Sequence, residues 1–167
     1  NDFMYNLSYW SSWSNGFKIW KSEFDKIDKN LKLNKLFPHT SLFLTQHQAK
    51  LFCINDNLLF DVQRIPKRGG HNKFEAFTIE YPSLLDECCK KGHISTKCKK
   101  HILFGIMVQF LPSLLFNKYI IRIETFDDTG FRNNLKKYYP SYAYWLVLIS
   151  VLGVPFRLFC RKFKNKR

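Results

Sequence analysis

The sequence predicts an α+β fold. A mixed helix and strand domain is expected over residues 1–140, followed by a transmembrane helix over 141–160 and a basic cytosolic tail over 161–167. Three observations point that way. Apolar residues step by three and four between Phe17 and Leu31, the spacing of one helix face. Short runs rich in aromatic and β-branched residues recur between Lys50 and Phe126, bounded by turn formers, which is strand chemistry. An almost uncharged stretch then runs from Tyr142 to Cys160, and six cations without a single acid fall between Arg157 and Arg167.

Residues 1–16, "NDFMYNLSYWSSWSNG", mix aromatics with turn formers and predict a loop or membrane-proximal lead-in. The chain starts at Asn1 and is read as a fragment or processed form, with no cleavable signal peptide recognisable. Asn6-Leu7-Ser8 fits the N-glycosylation pattern, which matters only on a lumenal side. Phe17, Trp20, Phe24, Ile27 and Leu31 form the apolar stripe of a first helix that Pro38 cannot continue. "KLFCI", "NDN" and "LLFDVQRI" predict a hairpin from Lys50 to Ile65, and "PKRGG" a loop. "FEAFTIEY" (Phe74 to Tyr81) predicts a strand, and "PSLLDECCKK" a short helix. Ile102 to Phe116 is fifteen residues interrupted by Gln109 and Pro112; it predicts a buried or interfacial helix, since a span needs about twenty. "YIIRIETF" (Tyr119 to Phe126) predicts another strand, ended by the turn former "DDTG". No internal repeat or long linker is apparent.

The closing segment is the best candidate for a membrane span. As one helix rising about 1.5 Å per residue, Tyr142 to Cys160 covers a little under the ~30 Å hydrocarbon thickness. Tyr138, Tyr139, Tyr142, Tyr144 and Trp145 collect at one end, where amphipathic rings favour the headgroup level. Arg157 lies at the other end, from which a long cationic side chain can snorkel to phosphate, and Pro155 kinks or finishes the helix. Arg161, Lys162, Lys164, Lys166 and Arg167 form a basic flank expected to be cytosolic. Trp145, Leu152, Pro155 and Arg157 are therefore the expected anchor residues.

The order Tyr142-Ala143-Tyr144-Trp145-Leu146, Leu152, Pro155-Phe156-Arg157 resembles the last span of the transmembrane protein 151 family. That span opens on aromatic-Trp-Leu and closes on Pro, an aromatic or Leu, and Arg. Thr96-Lys97-Cys98 matches a tripeptide of the region before it, at a shorter distance. Gly153-Val154 stand before Pro155, where the family commonly has an aromatic. The resemblance implies an integral membrane protein with further spans before Asn1, no established enzyme activity and no transferable catalytic residue.

Few residues carry reaction chemistry. In "CCKKGHISTKCKKH", Cys89, His93, Cys98 and His101 are of zinc-ligating types, but their spacing matches no familiar finger or knuckle. A solvated basic turn is the preferred reading of that segment. The five cysteines (Cys53, Cys88, Cys89, Cys98, Cys160) are odd in number with two adjacent, so reduced thiols are expected. Cys88-Cys89 and Cys160 are candidates for acylation if they lie near a membrane. His39, His47 and His71 lack acid partners in sequence, and Asp127-Asp128 is more simply a turn than a cation site. No enzyme and no cofactor are expected.

The surplus of 27 basic over 13 acidic residues points to a polyanionic partner. The expected function is a non-enzymatic integral membrane protein, of endomembrane or plasma membrane, acting as a scaffold for an unknown protein partner, with anionic lipid headgroups held by its basic tail. The alternative is a basic RNA-binding or ribosome-associated organellar subunit. Lys67, Arg68, Lys73, Lys97, Lys99, Lys100 and His101 would then contact nucleic-acid phosphate.

Overall fold

A computed structural model describes residues 1–12, 19–45, 72–124 and 126–164. Helix accounts for 72% of these residues and none is in a strand, so the α+β expectation is overturned in favour of an all-helical one. The helices are α1 (Asp2–Leu7), α2 (Lys21–Phe24), α3 (Pro38–Thr45), α4 (residues 73–90), α5 (Thr96–Ile120), α6 (Phe131–Tyr138), α7 (Ala143–Leu152) and α8 (Val154–Lys164). A 3-10 turn, Ser8–Ser12, follows α1. The predicted hairpin from Lys50 to Ile65 and the loop after it lie outside the described residues.

The expected strand at Phe74 to Tyr81 is the start of α4. Phe74, Ala76, Thr78 and Tyr81 are buried; the first three alternate as a strand would, but the three large side chains that are all but fully buried, Phe74, Thr78 and Tyr81, fall at the four and three spacing of a helix face. Asn72 caps the helix: its side-chain oxygen accepts the Glu75 N–H at 3.0 Å. At the second expected strand, Tyr119 and Ile120 finish α5, Arg122 takes φ 61°, and Ile121 and Ile123 are exposed. Their β-branched character finds no pairing neighbour among the described residues. Among the described residues the helix expected from Phe17 is α2 alone: Trp20 is 82% exposed, Phe24 is exposed, and Ile27 and Leu31 are half-buried, and a short helix with so little buried contact is marginal. Asp28 then accepts from Asn30 N–H at 2.9 Å in a local turn.

The described residues form two compact units, drawn from Asn1–Ile65 with Ser83–Ile102 and from Pro66–Pro82 with Leu103–Arg167. In the first, Met4, Tyr9, Leu44, Leu85, Cys88, Ile94, Cys98 and Ile102 are buried, and Thr40 Oγ1 donates to the buried Ser11 carbonyl at 2.9 Å. Its turn between residues 90 and 96 is set by two caps. Gly92, at φ 75°, lets its own N–H reach the Cys89 carbonyl and that of His93 reach the Cys88 carbonyl. Ser95 then opens α5, accepting the Cys98 N–H at 3.1 Å, while Asn1 Oδ1 accepts the Ser95 N–H at 2.7 Å. Asp86 braces the turn by accepting from Lys99 at 2.6 Å and Lys90 at 3.0 Å, and these partners hold its carboxyl below the usual range.

In the second unit, α5 carries Leu103, Ile106, Met107, Leu111, Leu114, Leu115 and Phe116 into the core, and α7 packs on it over Ile106–Phe110 and Leu111–Leu115. Phe74 is 1% exposed between the rings of Phe131 and Phe126, at 4.7 and 5.2 Å. "DDTG" is a turn, as expected. Asp127 Oδ1 accepts from the N–H and Oγ1 of Thr129, while Asp128 accepts from Lys118 at 2.7 Å and from the Tyr119 hydroxyl.

One detail recurs. The tetrapeptide Pro-Ser-Leu-Leu stands at residues 82–85 and again at 112–115. Each copy is preceded by a widened π turn in the same register, Ala76–Glu80 and Ile106–Phe110. A helical proline has no N–H for the carbonyl four residues back, and a widened turn is how the backbone absorbs that loss. Carbonyls are left over. Phe77's usual donor, Tyr81 N–H, is taken by Ala76, and the donor one residue further on is Pro82, which has none. The Tyr139 hydroxyl fills the place, donating to the Phe77 carbonyl at 2.7 Å. Val108, four before Pro112, receives Arg157 Nη1 at 2.5 Å.

Candidate functional site

The expected single helix from Tyr142 to Cys160 forms as two. Pro155 cannot follow α7 in register, because its ring would clash with the Val151 carbonyl, yet it sits without cost in the first turn of a new helix. The chain therefore breaks at Gly153, and α7 and the start of α8 are bent by 49°. Arg157 spans the break, with Nη1 on the Val108 carbonyl and Nη2 at 3.4 Å from the Ser150 carbonyl. The guanidinium thus turns onto backbone carbonyls of α5 and α7.

Two stripes run along the pair. Ala143, Val147 and Val154 are buried. Tyr142, Trp145, Ile149, Leu152, Phe156 and Phe159 follow at steps of three and four on the opposite side, and each is more than half exposed, Leu152 reaching 81%. Six large apolar side chains exposed along two successive helices exceed what scattered surface hydrophobics explain. Of the expected anchor residues, Trp145 and Leu152 lie on this stripe, Pro155 makes the break and Arg157 ties it to α5. Among the described residues α5 is the one helix long and apolar enough to cross a membrane, and the α7–α8 pair passes the same test only when its two halves are taken together.

The zinc-type residues are occupied otherwise. The Tyr5 ring stacks on His101 at 3.7 Å, Cys89 Sγ and Thr96 Oγ1 are 3.5 Å apart, and Cys98 is buried with its thiol 3.9 Å from the Asn1 carbonyl. The backbone N–H of His93 donates to the Cys88 carbonyl in the α4 cap, a bond that does not involve its imidazole. Among the described residues no group of three or more His, Cys, Asp or Glu could hold a metal ion. Of the cations considered for phosphate contact, Lys99 is paired with Asp86 and Lys73 with Glu124 at 2.9 Å; Lys97 and Lys100 are exposed, while Lys67 and Arg68 lie outside the described residues.

Burial pushes the Cys88 thiol up from its ordinary 9.0 to about 11. Thiolate is the reactive form, so at pH 7.5 maleimide should modify Cys88 about a hundredfold more slowly in the folded chain than in the unfolded one. Peptide mass spectrometry of timed samples checks this; equal rates would show that the thiol is not held in the core.

No family model, curated protein or solved structure matches this chain. Sequence reasoning missed the Pro-Ser-Leu-Leu pair and the carbonyls it frees. The signal was there, in two identical tetrapeptides thirty residues apart.

Proposed function

We propose that the chain is an integral membrane protein without catalytic activity, which holds a protein partner at a bilayer through its helices. The carrying observation is the exposed stripe from Tyr142 to Phe159. A soluble core accounts for α5, over half of whose apolar window is buried, but not for large apolar side chains facing outward along two successive helices. Hydrocarbon accounts for both. At about 1.5 Å per residue, the 25 residues of α5 reach roughly 37 Å, more than a ~30 Å core requires. Within this reading, α5 crosses the bilayer and α7 packs against it with its outer face on lipid. The resemblance to the last span of the transmembrane protein 151 family covers Tyr142 to Arg157; it supports lipid around α7 and the start of α8 and does not extend to α5.

Extraction decides it. Membranes from cells expressing the chain should retain it through high salt and alkaline carbonate, and release it only into detergent. Release by carbonate alone would refute the proposal and turn attention to a soluble basic subunit.

A further inference from the structure

We propose that Arg157 is an intramembrane docking site for a different protein, one whose own membrane-spanning helix carries an aspartate or glutamate near its middle. The inference rests on the membrane placement above and names the chemistry by which the partner is held.

Depth argues first. Arg157 Nη1 donates to the Val108 carbonyl at 2.5 Å, and twelve residues of α5 lie on either side of Val108. With α5 across the bilayer, the guanidinium is held near the middle of the hydrocarbon, about 15 Å from either headgroup layer. A cation at that depth ordinarily snorkels to the surface or pairs with an anion. The bond to Val108 blocks the first course. The second has no partner among the described residues. In the same unit Glu124 pairs with Lys73 and Asp128 with Lys118, and neither α5 nor the α7–α8 pair contains an acid. The Val108 and Ser150 carbonyls ease the loss of water but carry no net charge, so they do not neutralise the group. They also occupy only two of a guanidinium's five N–H donors, and a carboxylate takes two more side by side. Arg157 is half-buried, so its own fold does not enclose it. Room for a helix lies next to it. Gly153, one turn earlier, is exposed, and its carbonyl accepts the Arg157 N–H at 3.1 Å. A Cβ at Gly153 would meet nothing nearer than the Ser150 carbonyl at 3.5 Å, the carbonyl that Nη2 also approaches. Bare backbone of this kind lets a second helix come close. A second copy of this chain does not qualify, because its spans would bring another arginine and no acid.

The test uses the full chain in phosphatidylcholine vesicles, with a spanning polyleucine helix of about 20 residues as the probe. Probe helices carry one Asp, Lys or Ala at the centre, and energy transfer from the labelled chain to the labelled probe measures association. The Asp probe should bind about tenfold more tightly than the Ala probe, and the Lys probe no better than Ala. Moving the Asp two turns toward either end should remove the preference, since the guanidinium is fixed at mid-depth. Arg157→Glu should reverse the choice, releasing the Asp probe and taking up the Lys probe; an arginine that only braces the fold would not give that exchange. Equal affinity for the Asp and Ala probes overturns the proposal. So does a preference that is strongest with Asp near one end, which would assign it to Lys97 and Lys100 instead. The depth series uses the parent chain, so it decides the matter even where Arg157→Glu does not fold. If carbonate strips the parent chain from the vesicles, the membrane placement falls and this proposal with it; if the chain stays but shows no preference for Asp, only this one falls.

Discussion

Phe74→Ala is expected to lower the stability of the detergent-solubilised chain by about 3–5 kcal/mol, the range for emptying a fully buried aromatic position. Phe74 is 1% exposed, and its ring touches those of Phe131 and Phe126. Three segments of the second unit meet there. Phe74 comes from the first turn of α4, Phe131 from the first turn of α6, and Phe126 from the stretch before the Asp127 turn. The ring of Phe126 lies between two cations, with Lys73 Nζ at 5.1 Å and Lys118 Nζ at 5.9 Å from its centroid. Removing Phe74 therefore takes away packing from a residue that also positions charge. Phe74→Leu, which keeps most of the volume, should cost under about 1.5 kcal/mol. Thermal unfolding of both variants, followed by circular dichroism in one detergent, checks the order. Equal losses would mean that ring shape, and not filled volume, governs the site; no loss in either would remove Phe74 from the core.

The same region shows how far the sequence could be read. The apolar run from Ile102 to Phe116 was legible as a helix but was cut short of the 25 residues that make α5 long enough to cross a membrane; Pro155 was legible as a kink or an end, because proline chemistry is local and shows in the letters. Periodicity misread Phe74 to Tyr81. A run of aromatic and β-branched residues looks alike in a strand and in a buried helix, and the burial pattern of Phe74, Thr78 and Tyr81 becomes visible only once the helix packs. The helix expected from Phe17 falls short for the opposite reason: its stripe was legible, but Trp20 and Phe24 are exposed. The segment from Cys88 to His101, expected as a solvated turn, turns only over residues 91–95 between α4 and α5, with Cys88 and Cys98 buried on the helices either side; Gly92 and Ser95 were its informative residues, more than the cysteines and histidines. The outward stripe of α7 and α8 could be read as apolar but not as outward, since α7 is apolar all round and only packing on α5 decides which side is inner.

Arg157→Met should cost about 2 kcal/mol, although it removes a charge from apolar surroundings. Two effects oppose each other. Taking the guanidinium away relieves whatever desolvation it suffers, which is modest for a half-buried group at the start of α8. It also leaves the Val108 carbonyl without the donor that Pro112 cannot supply, and an unpartnered carbonyl in a nonpolar setting costs about 1–3 kcal/mol. The second effect wins because residue 112 has no N–H to take the guanidinium's place; a π-type bond from Ser113 N–H is the backbone substitute left, which keeps the cost near the middle of that range. Tyr139→Phe makes the same point at the other kink, where the hydroxyl serves the Phe77 carbonyl, and should cost about 1 kcal/mol. Arg157→Lys separates the roles. A lysine reaches a phosphate as well as an arginine does, so a side chain serving headgroups would tolerate the change. One that must place two donors on Val108 and Ser150 would not, since an ammonium is a point charge on a shorter reach. Hydrogen exchange at residues 108–113 supplies the local readout: it should quicken in Arg157→Met and in Arg157→Lys and stay unchanged in Tyr139→Phe. If Arg157→Lys matches the parent in both unfolding and exchange, the guanidinium is not what closes the kink at Pro112.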